Sequence, residues 1–310
     1  MNLHPQRPLH LYAMPGNEAR ADALAQALGP LALRAQLQLH RFPDGESLVR
    51  VQPPRGPAAL VCTLRDPDAL TVPLLMAAST LRELGADDVG LLAPYLAYMR
   101  QDRAFEPGQA VSARIYAGLL SAHFDWLLTV DPHLHRIDSL DRIYTLRSRV
   151  VHATAAIARW VAANVPRPLL IGPDAESRQW VGAVAEAVGA PMLVLDKQRR
   201  GDLDVSSRLP ALADPAVRTP VLLDDIASSG RTLAGVLQSL RARSMAPAAC
   251  VVTHGLFAVD ALELVRAAGA TRVACTDSVE PPPSVERITL DAELAQALGE
   301  MTATLREPRP

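Results

Sequence analysis

The chain repeats itself. Arg7-Pro8-Leu9 precedes Ala23-Leu24-Ala25-Gln26-Ala27-Leu28-Gly29 at the spacing that separates Arg167-Pro168-Leu169 from Ala183-Val184-Ala185-Glu186-Ala187-Val188-Gly189, and the two sets lie 160 residues apart. Each copy then continues in the same order. An apolar strand (residues 58–63; 220–223) is followed by a helix (72–84; 232–243), another strand (89–93; 248–253), and a later strand that ends in an acid (126–131; 272–277). Strands alternating with helical segments indicate parallel sheets covered by helices on both faces. The expected fold is therefore α/β, with two similar, internally duplicated domains, each a mostly parallel sheet flanked by helices. Residues 1–147 and 148–290 form the two domains in this reading. The stretch 147–151, leading into a helix at 152–163, is the crossover, and a terminal helix at 291–305 packs back on the first domain.

The formal net charge of -2 gives no bulk attraction to nucleic acid or to anionic membranes, so phosphate recognition has to come from local arrangement. No apolar stretch reaches spanning length, and the opening residues lack an apolar signal core, so a cytoplasmic protein is expected. Cys62, Cys250 and Cys275 each sit in or beside an apolar run and form no CxxC pattern, which reads as buried small hydrophobes.

In parallel sheets ligands bind beyond the carboxyl ends of strands. The polar residues gather there. Val221-Leu222-Leu223 leads into Asp224-Asp225, then Ile226-Ala227, then Ser228-Ser229-Gly230-Arg231-Thr232 at the start of a helix. Two carboxylates at a strand end can hold a sugar diol. The hydroxyl-rich loop and helix N-terminus can hold a phosphate without a lysine. An acidic turn with Ser-Gly punctuation is the plainer reading of the pair alone.

Arg41-Phe42-Pro43-Asp44-Gly45-Glu46 is a turn with one aromatic and two acids. Arg100-Gln101-Asp102-Arg103 follows Pro94-Tyr95 at a strand exit, where paired guanidinium groups can clamp a polyphosphate or simply form a solvated charge cluster. Thr129-Val130-Asp131-Pro132-His133-Leu134-His135 ends a strand with an acid and two histidines, a spacing able to hold a divalent metal or its waters. Gly172-Pro173-Asp174 repeats the strand-then-acid pattern in the second copy. Asp196-Lys197-Gln198-Arg199-Arg200 opens a polar stretch that can bring cations over a reaction.

Taken in this order, the segments resemble the ribose-phosphate diphosphokinase family, which makes phosphoribosyl pyrophosphate, and more broadly the type I phosphoribosyltransferase fold. The resemblance runs from about Phe42 to Asp277. It is densest between Pro94 and Ala117, where RQDR, Pro107-Gly108 and Ser112-Ala113 stand as the family has them. It implies that Phe42, Asp44 and Glu46 contact the adenine of ATP, and that Arg100, Gln101, Asp102 and Arg103 form the ATP-phosphate segment. By the same resemblance His133 and Asp174, with Asp131, match Mg2+ sites. Asp224 and Asp225 bind the ribose hydroxyls, Ser228, Ser229, Gly230, Arg231 and Thr232 bind the 5-phosphate, and Lys197 and Arg199 are the catalytic cations. The implied substrates are ATP and ribose 5-phosphate, in a homo-oligomer whose ATP site draws partly on a neighbouring subunit. Where the commonest form of the family reads Asp-Thr-Ala-Gly-Thr, this chain has Ser228-Ser229-Gly230-Arg231-Thr232, which keeps phosphate donors and removes a charge.

Three other readings stand beside this one. The same chemistry can act on another pentose phosphate. A phosphoribosyltransferase would use a preformed pyrophosphate donor, but has no need of a first domain carrying FPDGE and RQDR. A regulatory homologue of the synthetase has no physical need for His133, Asp174, Lys197 and Arg199 together.

Overall fold

The computed structural model describes residues 7–134, 136–195, 218–242, 245 and 248–304. The chain divides into two units, one running to Val151 and resuming at Asp291, the other running from His152 to Leu290.

The first unit contains β1 (Leu9–Ala13), α1 (Glu18–Leu28), β2 (Ala32–Ala35), β3 (Leu37–Arg41), β4 (Ser47–Val51), β5 (Ala58–Val61), α2 (Pro67–Glu83), β6 (Val89–Ala93), α3 (Ser112–Ser121), β7 (Trp126–Val130) and β8 (Arg147–Val151). Six strands form one sheet in the order β2-β1-β5-β6-β7-β8, every neighbour parallel. Every residue of β1, β5, β6 and β7 is buried, as expected of parallel strands covered on both faces. Gly90 of β6 lies opposite Trp126 of β7, and a β-carbon there would fall 1.8 Å from the indole ring. The glycine makes room for the largest buried side chain of the sheet.

The stretch 147–151, after which the chain passes into the second unit, is itself an ordered element of the first. It is the edge strand β8, paired along its whole length with β7. Helix α2 begins a full turn earlier than the apolar pattern predicts, with Pro67 in its first turn, where the missing N–H costs nothing. Pro73 lies inside the same helix and cannot donate to the carbonyl of Ala69. The Arg41 guanidinium donates to that carbonyl instead, at 3.0 Å. Arg41 ends β3, so the antiparallel β3–β4 hairpin is pinned to α2 through the gap the proline leaves.

The second unit contains α4 (Thr154–Asn164), β9 (Pro168–Gly172), α5 (Arg178–Val188), β10 (Met192–Val194), β11 (Thr219–Ala227), α6 (Arg231–Ala242), β12 (Ala248–Gly255), α7 (Ala261–Ala267), β13 (Ala270–Thr276) and β14 (Glu286–Ile288). Its sheet runs β10-β9-β11-β12-β13-β14, again all parallel. The two sheet orders correspond strand for strand. The alanine-rich repeats form the ends of α1 and α5, and the glycine closing each repeat stops the helix at positive φ, 55° at Gly29 and 64° at Gly189. The duplication read from the sequence is thus a duplication of topology.

The last helix, α8 (Asp291–Thr304), belongs to the first unit and packs on α1. Arg20 holds Asp291 at 2.7 Å, and Arg149 pairs with Glu300. Leu294 and Leu298 are fully buried beneath the helix. All three cysteines are free and buried, and burial pushes the Cys62 and Cys250 thiols up to about 12. Among the described residues no helix is long and apolar enough to cross a membrane.

Candidate active site

In the second unit, β11 is longer than its apolar run. β9 pairs with it only from Thr219 to Leu222, whereas β12 follows it from Val221 to Ala227. Beyond Leu222 the strand therefore continues with a partner on one side, and Asp224 and Asp225 lie on that extension. The Asp225 backbone N–H donates to Asp224 Oδ1 at 3.0 Å. Desolvation holds the Asp224 carboxyl well above the ordinary carboxylate range, and the charges of Asp225 and Asp174 push it further the same way. Three acids thus crowd one place at the strand ends. Such a cluster is relieved by a ligand that donates hydrogen bonds or brings positive charge.

Asp174 leaves β9 in an extended conformation and accepts from the Ser177 backbone N–H at 3.3 Å, while the Ser177 hydroxyl donates to the Asp174 carbonyl at 2.6 Å. Ser177 can tuck there only because residue 172 is glycine. A β-carbon on Gly172 would lie 2.1 Å from Ser177 Oγ.

After β11 the chain turns through Ser228 and Ser229 into α6. Gly230 has φ 71°, and a β-carbon on it would lie 2.9 Å from the Ala261 carbonyl oxygen and 3.0 Å from Val265 Cγ2. The Ala258 backbone N–H donates to the Ser228 carbonyl at 2.9 Å, so both ends of the turn are tied to the segment that leads into and through α7. The first backbone N–H groups of α6 have no helical partners, and Ser229, Arg231 and Thr232 around the turn are all exposed. Backbone N–H groups and hydroxyls at such a turn are able to hold an anion.

In the first unit, the segment at 42–46 forms the exposed tip of the β3–β4 hairpin. The Phe42 and Glu46 backbones bond each other at 2.8 Å, Gly45 takes φ 93°, and the Asp44 carboxylate accepts from the Glu46 N–H at 3.1 Å. Phe42 is 39% exposed and meets His40 edge to face at 4.8 Å. Among the described residues no hydrogen bond, ion pair or ring contact joins this tip to residues 100–103 of the same chain.

The segment after β6 is knitted locally. Gln109 Oε1 accepts from the backbone N–H groups of Phe105 and Glu106 and from the Gln101 amide. Arg100 and Arg103 are exposed. Asp102, which the resemblance groups with the ATP-binding residues, is instead buried and ion-paired. Both of its carboxylate oxygens accept from Arg136 Nη1, at 3.1 and 3.3 Å. An acid held this way is a strut of the segment rather than a free contact for a polyphosphate.

Two of the three non-glycine residues with positive φ among the described residues lie at these strand exits: Tyr98 at 63°, just before Arg100, and Asp131 at 30°, at the end of β7. Strained backbone of this kind gathers where a side chain has to be aimed. Asp131 and His133 follow β7, and residues 100–103 follow β6, so the two segments leave neighbouring parallel strands. Among the described residues no group of three His, Cys, Asp or Glu side chains is arranged to hold a metal ion on its own. A single carboxylate beside an imidazole can still suit Mg2+, which keeps its waters and takes one or two carboxylates together with substrate phosphates. Lys197, Arg199 and His135 lie outside the described residues.

Spacing in the sequence carries no signal for Phe105, Gln109, Arg136 or Ser177; Gly172 stands in the Gly-Pro-Asp run, but its close approach to Ser177 does not show there.

Residues 9–123 match the family described as the N-terminal domain of ribose phosphate pyrophosphokinase, and residues 139–286 match the phosphoribosyl transferase domain family. Among curated proteins, the chain is 32% identical over 272 residues to the ribose-phosphate pyrophosphokinase of Methanopyrus kandleri, covering 86% of this chain and 91% of that one. It is 33% identical over 266 residues to the enzyme of the same name from Methanothermobacter thermautotrophicus, covering 84% and 88%. It is 30% identical over 284 residues to that of Halobacterium salinarum, covering 91% and 98%. Among solved structures, it is similar to the phosphoribosylpyrophosphate synthetase from Mycobacterium smegmatis, with TM-score 0.81 over 96% of this chain and 99% of that one at 21% identity, a likeness of fold.

Proposed function

The chain belongs to the ribose-phosphate pyrophosphokinase family, and from that premise we propose how its own residues carry the reaction. The enzyme is a ribose-phosphate diphosphokinase. It moves the diphosphoryl group of ATP onto the anomeric hydroxyl of ribose 5-phosphate, giving phosphoribosyl pyrophosphate and AMP. The anomeric oxygen forms a bond to the β-phosphorus, the bond from that phosphorus to the bridging α–β oxygen breaks, and the hydroxyl proton is lost.

The observation that carries the assignment is the single run from β11 into α6. Asp224 and Asp225 accept hydrogen bonds from the two ribose hydroxyls, and the turn at 228–232 binds the 5-phosphate through its backbone N–H groups and hydroxyls. Anchoring the sugar at both ends aims the anomeric oxygen, which converts much of the barrier into positioning. Arg100, Gln101 and Arg103 hold the triphosphate. Phe42, Asp44 and Glu46 contact adenine, and the exposed Phe42 at a hairpin tip is suited to reach the ATP site of a second copy in a homo-oligomer. Lys197 and Arg199 place cations on the migrating group. No side-chain nucleophile is required.

Mg2+ suits the strand ends of each unit taken by itself: Asp131 and His133 would hold an ion or its waters in the first, and Asp174 in the second. When bound, it neutralises charge on the diphosphoryl group in flight.

Phosphorus NMR of the protein with Mg2+, ATP and ribose 5-phosphate, beside mixtures holding other pentose phosphates, tests the reading. A pyrophosphoryl-sugar signal with matching AMP from ribose 5-phosphate is the expected result. The same signal only from another pentose phosphate would reassign the acceptor, and no turnover by folded protein that binds ATP would overturn the assignment.

A further inference from the structure

We propose that Arg136 is a positioning residue for ATP, holding the cation-bearing segment at 100–109 in its binding shape. The proposal rests on the reading above, in which Arg100 and Arg103 receive the triphosphate. Arg136 leaves the strand exit of β7, three residues after His133, and reaches back to the segment that leaves β6. Its guanidinium grips both oxygens of buried Asp102. The same group lies 5.7 Å from the centre of the Phe105 ring, and the Arg103 guanidinium lies 5.0 Å from it.

Phe105 is 51% exposed, and these two cations lie within cation–π reach of its ring. Arg136 therefore joins two strand exits: it pairs with Asp102 and lies near the Phe105 ring, which the Arg103 guanidinium shares. Gln109 closes the same segment from its far end. A segment ordered before the ligand arrives loses less entropy on binding. Arg136 itself touches no reacting atom in this scheme. It acts through Asp102 and Phe105.

The test is calorimetric titration of the full chain with Mg2+·ATP, using Arg136→Met, Arg136→Lys, Asp102→Asn and the Arg136→Met/Asp102→Asn double variant. Each of the first and third substitutions is expected to weaken ATP binding about tenfold. The double variant should also lose about tenfold, where independent contacts would lose about a hundredfold. Arg136→Lys should recover part of the affinity, because it keeps a charge for the Asp102 carboxylate and loses the planar guanidinium that lies near the Phe105 ring. The thermal shift produced by ribose 5-phosphate should be unchanged throughout, which a general loss of structure would not allow. ATP binding by Arg136→Met equal to that of the unsubstituted protein, or losses that multiply in the double variant, would overturn the proposal. Absence of ATP binding by the unsubstituted protein would overturn the nucleotide reading itself, and the proposal with it.

Discussion

Replacing Gly230 with alanine should damage stability and ribose 5-phosphate binding together, and the structure gives the size of the effect. The backbone there has φ 71°, which costs an L-residue about 1–2 kcal/mol. The added methyl would stand 2.9 Å from the Ala261 carbonyl oxygen and 3.0 Å from Val265 Cγ2. The first is helix backbone and the second is a fully buried side chain, so neither can swing aside. Overpacking of this kind costs about 1–3 kcal/mol. The sum, about 2–5 kcal/mol, corresponds to a Tm lower by about 5–15 °C for a unit of this size. If the turn moves away from α7 to relieve the clash, it also loses the bond from the Ala258 N–H to the Ser228 carbonyl, and the phosphate cradle shifts with it. Differential scanning calorimetry with and without ribose 5-phosphate measures both effects. Gly189→Ala is the control: it has φ 64° but nothing within 4 Å of its β-carbon, so only the backbone cost applies and sugar-phosphate affinity should not change. A Gly230→Ala protein that melts and binds like the Gly189→Ala protein would refute the packing argument.

Asp224→Asn should raise stability at pH 8 in metal-free buffer while weakening ribose 5-phosphate binding. Its folded-state carboxyl is held above the unfolded value, so its contribution to stability is full at acid pH and is lost as pH rises through the folded value. The advantage of the amide should therefore shrink toward acid, with a slope of at most about 1.4 kcal/mol per pH unit; melting curves from pH 4 to pH 8, a range of about four units, that run parallel would dismiss the electrostatic account. Lys197→Ala should lower kcat much more than it raises either KM, since its cation is needed as charge migrates, and an unchanged rate at saturation would remove it from catalysis. Gly90→Ala should fail to yield folded protein, because the new β-carbon would lie within about 2 Å of the Trp126 ring; a soluble variant with native near-ultraviolet circular dichroism would show that β6 and β7 can part at no great cost.

The sequence reading was strongest where information is local. The repeats at 23–29 and 183–189 end in glycines because a helix must stop there, and the matching order of strands and helices survives into matching sheets. Length was less legible than existence. The extension of β11 through Asp224 and Asp225 depends on β12 continuing after β9 has ended, which no property of the run itself reveals. Nor does charge spacing name a partner: in RQDR the acid looks equivalent to its neighbours, yet burial and Arg136, distant in sequence, give it a different task. The stretch 147–151, read as the crossover, hides its strand character because it is an edge strand with partly exposed, charged residues.

Pro73 shows how an imperfection in one element becomes the fastening for another. Alanine at that position would supply the missing donor, and helix α2 would complete its own ladder of bonds. By any count confined to the helix this is an improvement. Yet the repaired ladder would bring a second donor to the oxygen of Ala69 that Arg41 now holds, and the bond that moors the hairpin bearing Phe42 would have to share its acceptor. Regularity within α2 and reach of the hairpin tip draw on one carbonyl, and this chain gives it to the hairpin.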